Sequence, residues 1–67
     1  MTTVTAEYLA GIAEGRAIYK AEGLADAQAR IANLRATMRG FGPSSAVGQL
    51  LRGELDFWLN QVKRAAK

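Results

Sequence analysis

One stretch constrains this chain more than any other. From Ser44 the sequence runs to its end without a proline, and its last glycine is Gly53. Val47, Leu51, Leu55, Trp58 and Val62 recur every three or four residues, the period of an α-helix with one apolar face. Leu50, Phe57 and Leu59 are apolar as well and lie off that stripe. The apolar surface is therefore wide or split, broader than two short partner helices need. A helix of this kind predicts docking against something further.

Upstream, two breaks divide the chain. Gly23 is placed to stop a first helix in the left-handed conformation, with Leu24 folding back over it. Gly40-Phe41-Gly42-Pro43 is the second break, where Gly40 ends a helix and Pro43 prevents its continuation. Between them Leu24, Ala27, Ile31, Leu34, Met38 and Phe41 are spaced three, four, three, four, three, which fits an antiparallel hairpin or a short dimer seam. Asp26 falls in the first turn of that helix, and Phe41 continues its stripe and is expected to anchor in the core. Before Gly23, Thr5 can cap a helix with Glu7 near the positive end of its dipole. Tyr8, Ile12, Gly15 and Tyr19 form its stripe, flanked by Leu9 and Ile18. Gly11 and Gly15 each cost a helix interior about 1 kcal/mol relative to alanine. Two glycines four apart permit close approach, either at an internal helix crossing or by a ligand or partner backbone. Ser44 or Ser45 caps the third helix, whose Gly48 and Gly53 should loosen its first half. The expected fold is thus all-α, one three-helix domain over residues 1–67. Helices are expected at about residues 5–22, 24–39 and 45–65, the first two being sequential neighbours, with residues 1–4 loose.

A chain of this length buries a small fraction of its surface. It contains no cysteine, hence no disulfide or thiolate metal site, and no histidine, the commonest metal ligand and general base. Good helix packing or oligomerisation has to supply stability, and a homodimer through helix three or the helix-two seam is expected. The net charge of +3 comes from nine basic and six acidic residues spread along the chain. Only Lys63, Arg64 and Lys67 are dense, at a helix C-terminus where the macrodipole favours cations. No apolar run approaches the length of a bilayer span, and the first residues lack the basic and apolar regions of a secretory signal. A cytoplasmic protein without a membrane partner is expected.

Catalytic chemistry is not encoded locally. Glu14 and Glu54 are isolated, Glu54 and Asp56 point in different directions on a helix, and Ser44 and Ser45 have no histidine to activate them. Gly40-Phe41-Gly42 lacks the Gly-Lys-Ser/Thr ending of a phosphate loop. The expectation is a non-enzyme with no cofactor and no metal. Nucleic acid is the alternative, since three helices and positive charge are the material of a helix-turn-helix module. Against it, residues 46–49 at the start of helix three hold no basic residue and a single amide, Gln49, where base reading needs Arg, Lys, Asn or Gln. Protein interaction explains more. Phe57, Trp58 and Leu59 are consecutive on a helix, point in three directions and cannot all enter one small core. The candidate interface is Phe57, Trp58, Leu59 and Val62, with Lys63 and Arg64 as a basic rim that steers an acidic partner.

Three strings, residues 8–16 (YLAGIAEGR), 41–49 (FGPSSAVGQ) and 51–61 (LRGELDFWLNQ), resemble small helical accessory proteins encoded by phages and prophages of proteobacteria. The resemblance covers most of the chain and transfers no functional residue. Some proteins of that class bind and inhibit a host protein, such as a transcription regulator, a motor or a defence component. It implies an inhibitor or adaptor acting on a host protein in the host cytoplasm.

Overall fold

A computed structural model describes residues 5–42 and 44–66. The expectations placed on residues 1–4, Pro43 and Lys67 fall outside the described residues. Three helices follow in order: α1 (Ala6–Glu22), α2 (Ala27–Met38) and α3 (Ala46–Ala65). The small all-α three-helix domain expected from the periodicities is therefore present.

The ends are made by the residues suited to them. The Thr5 hydroxyl accepts from the Tyr8 amide at 3.1 Å and the Ser45 hydroxyl from the Gly48 amide at 3.0 Å, each satisfying an amide that has no partner within its helix. Ser45 also donates to the Gly42 carbonyl at 2.8 Å, tying the connection to the helix it opens. Gly23 ends α1 at φ 66° and ψ −144°, a positive-φ conformation that suits glycine though not the left-handed helical one expected, and its amide donates to the Tyr19 carbonyl. The second helix starts later than its apolar spacing suggested. The four residues from Gly23 form a turn, and Asp26 takes the N-cap position without a side-chain bond.

The order of contacts shows how the helices lie. Thr5 reaches Gln49, Tyr8 reaches Asp56 and Tyr19 reaches Trp58, so α1 and α3 run parallel. Arg30, early in α2, sits over Trp58, while Gly42, beyond its end, touches Gly48, so α2 runs antiparallel to α3. Both α1 and α2 pack chiefly on α3, and the Glu22–Arg30 ion pair joins them to each other. α1 and α2 thus run antiparallel across the short turn at 23–26, as expected of sequential neighbours, but lie on two flanks of α3. The reason is Trp58, which is 0% exposed and stands between them. Its ring meets Tyr19 of α1 edge-on at 6.2 Å and carries the Arg30 guanidinium of α2 at 5.7 Å. Arg30 is held there by Glu22 at 2.7 Å. Among the described residues, the Trp58 Nε1 donor is buried with no partner.

Ala27, Ile31, Leu55, Phe57 and Trp58 make the core, with Ile12, Ile18, Leu24, Leu34, Met38 and Val62 packed around it. Phe41 does not join them; it is 44% exposed. Its stripe position holds only while the helix continues, and α2 ends at Met38. Gly53 does not loosen α3 either, because it is buried at the crossing with α1.

Candidate functional site

The site begins with glycine. A side chain on Gly11 would run into the Leu50 carbonyl, and one on Gly53 into the Tyr8 carbonyl. The two helices therefore touch backbone to backbone at reciprocal points. Four residues on, Gly15 faces the Phe57 ring instead of backbone, so the helices are already further apart. The close approach read from the Gly11 and Gly15 spacing is thus an internal crossing, and its opposite half is Gly53.

Beyond that crossing the helices leave a groove of about 440 Å³. Tyr8, Ile12 and Arg16 are four apart and share one edge of α1, with Tyr19 following. Asp56 and Asn60, then Phe57, Gln61 and Arg64, face them from α3. No residue of α2 lines the groove. The fold covers one flank of α3 with α2 and leaves this one open.

The two ends of the groove differ in charge. At one end the Tyr8 hydroxyl donates to Asp56 Oδ2 at 2.6 Å, and Arg52 Nε reaches Asp56 Oδ1 at 3.3 Å. The hydrogen bond to that carboxylate raises the Tyr8 pKa above its ordinary value. Burial and the Asp56 charge add to the shift, and Arg52 opposes it. Asp56 is thus engaged within the chain. At the other end stand Arg16 and Arg64, and among the described residues neither forms an ion pair. The groove pairs an acid engaged by Tyr8 and Arg52 with two arginines that have no acid among the described residues.

A second cluster lies outside it. Burial raises the Glu54 pKa, the Glu14 charge raises it further, and Arg30 opposes both. Two carboxylates that read as isolated in sequence are close enough across α1 and α3 to feel one another. Neither Glu54 nor Glu14 lines the groove.

The candidate residues of helix three separate. Trp58 and Phe57, at 0% and 8% exposure, belong to the core, and Val62 packs against it. As expected of three consecutive helical positions, they do not all enter the core: Phe57 and Trp58 are inside and Leu59 is left out. α3 has a helix on each of two sides, so Phe57 fills the space at Gly15 and Trp58 the space under α2. The wide apolar arc is largely used within the chain. Leu59, 37% exposed, stays at the surface, and Lys63 is exposed one turn on. Of Lys63 and Arg64, Arg64 reaches the groove, where Phe57 offers its remaining edge. Tyr8, Arg16, Asp56, Asn60 and Gln61 were not among the sequence candidates. Their signal was the Tyr8-Ile12-Arg16 spacing, which reads equally well as a stripe with a stray charge.

Among the described residues no group of acidic side chains is arranged to hold a metal ion, and no helix is long and apolar enough to cross a membrane. Compared with protein-family models, curated proteins and solved structures, the chain finds no match in any of the three.

Proposed function

We propose that this chain is a non-catalytic protein-interaction module, an inhibitor or adaptor of the cytoplasm, that receives its partner on the face formed by α1 and α3. The observation that carries the reading is the formed groove that α2 leaves uncovered, with Arg16 and Arg64 lacking an acid among the described residues. Exposed Leu59 and Lys63 extend the same helix as contact residues outside the groove. A phage or prophage origin, as the resemblance implies, would make that partner a host protein. Nucleic acid is served less well. Phosphate backbones favour a track of cations, and this groove offers two arginines beside a carboxylate.

The test is a pull-down with tagged protein after nuclease treatment, run beside Asn60→Trp, which fills the groove, and Leu59→Asp. A protein that survives nuclease and is lost with Asn60→Trp supports the reading. Recovery of nucleic acid alone, competed away by moderate salt and indifferent to both substitutions, overturns it. Sedimentation equilibrium at micromolar concentration decides whether the expected homodimer forms. A dimer mass that Asn60→Trp abolishes would assign the face to a second copy.

A further inference from the structure

We infer that the occupant of the α1/α3 groove is an amphipathic α-helix of a partner protein, about three turns long, carrying acidic side chains at the end that meets Arg16 and Arg64. The inference rests on the reading of this face as a protein-docking face and narrows it to one kind of ligand.

Length comes first. The α1 wall runs from Tyr8 to Tyr19, eleven helical steps or roughly 16 Å, which is about three turns. Shape comes second. Two parallel helices joined at a glycine crossing leave a trough along their axes, and a third helix laid in it buries an apolar stripe on both walls. Ile12 and Tyr19 supply the apolar part of the α1 wall, and Phe57, largely buried, only an edge of the α3 wall, between polar and charged side chains. Charge decides the direction. Asp56 already has Tyr8 and Arg52, so that end of the trough asks nothing of a ligand. The Arg16–Arg64 end holds two guanidinium groups that among the described residues lack a carboxylate. Guanidinium groups bind carboxylates through paired N–H donors. Acidic residues favour the first turn of a helix, where they face the positive end of the dipole. The occupant therefore starts at the Arg16–Arg64 end and runs antiparallel to α1 and α3. A nucleic acid fits less well, since its phosphates would have to pass Asp56 in the same groove.

A nitrogen-15 NMR titration of the intact protein with a synthetic helical peptide of about twelve residues tests this. The peptide carries glutamates in its first turn and leucines along one face. A twin replaces each glutamate with glutamine. The glutamate peptide is expected to move the amides of Arg16, Asn60, Gln61 and Arg64, and to bind about tenfold more tightly than its twin. The same loss is expected for Arg16→Gln and Arg64→Gln, whose helix content and melting are measured alongside. Equal binding of both peptides in the groove overturns the inference and leaves the docking face standing. Absence of shifts with either peptide also overturns it, while the pull-down scores the broader reading separately. A short single-stranded oligonucleotide that moves these amides where the peptides do not overturns it in favour of nucleic acid. Shifts of the same amides with protein concentration alone overturn it in favour of a second copy.

Discussion

Where it crosses α1, the third helix presents Gly53 and bare backbone; in the core it shares with α2 it presents Leu55 and Trp58. The first contact depends on missing side chains, since a Cβ at Gly11 or Gly53 would meet a carbonyl of the opposite helix. The second depends on side chains being present, with Trp58 fully enclosed among Tyr19, Phe57, Ile31 and Arg30. The two arrangements have different consequences for function. A seam filled by a tryptophan has no room left for a ligand. A seam closed at one point by glycine must widen away from that point, and the widening is the groove. In this fold the crossing that binds α1 to α3 is also what makes their outer face concave.

The comparison breaks most severely at Trp58. Trp58→Ala is expected to cost about 3–5 kcal/mol, enough to unfold a domain this small, because it removes the side chain on which both flanking helices meet. Urea denaturation followed by circular dichroism checks this. A cost near that of an exposed position would show that α2 is held by something else.

Gly53→Ala strikes the other seam. Alanine is the better helix former by about 1 kcal/mol, so a free position would gain stability. Here the added methyl meets the Tyr8 carbonyl, and a net loss of about 1–3 kcal/mol is expected. Gly42→Ala is the control, since nothing lies within 4 Å of the position a Cβ would take. It should leave the midpoint nearly unchanged in the same denaturation series. A stabilising Gly53→Ala would mean that the helices do not touch at this point.

Tyr8→Phe sharpens the picture of the groove. It removes the 2.6 Å hydrogen bond to Asp56 that bridges α1 and α3, at about 1 kcal/mol. The raised Tyr8 pKa gives the effect a pH signature. The contribution is complete below the ordinary tyrosine pKa and lost as pH rises through the folded value, so parent and variant should converge in alkali. Melting curves across the alkaline range test the convergence.

The smallest effect has the opposite sign. Glu54 has its pKa raised by burial first and by Glu14 second. A raised carboxyl is favourable to folding below its unfolded pKa and loses that advantage as pH rises through the folded value. Glu54→Gln should therefore be slightly more stable than the parent at neutral pH. The gap should close when the solution is acidified below the usual glutamate range. Thermal melts at the two pH values decide it, and a variant less stable at neutral pH would show that Arg30 outweighs the other two influences.

What the sequence determined is what neighbours along the chain decide among themselves. Thr5, Ser45 and Gly23 carry their capping roles in their own chemistry, and a period of three and four makes helices wherever it persists. So the helix count, the two breaks and the closeness implied by Gly11 and Gly15 were legible in advance. The partner of those glycines was not. Gly53 looked like a weakness in a helix, and only the parallel packing of α1 on α3 turned it into the other half of a crossing. The same packing placed Arg16 and Arg64 on one groove and brought Tyr8 to Asp56 and Glu14 toward Glu54, residues more than thirty positions apart in every case. Phe57 and Trp58 show the limit most clearly. A periodicity tells which residues share a helix face, but not how many helices surround it. With one neighbour, Phe57-Trp58-Leu59 would expose two large side chains. With a neighbour on each side only Leu59 is left outside, and the concave open surface lies instead between α1 and α3.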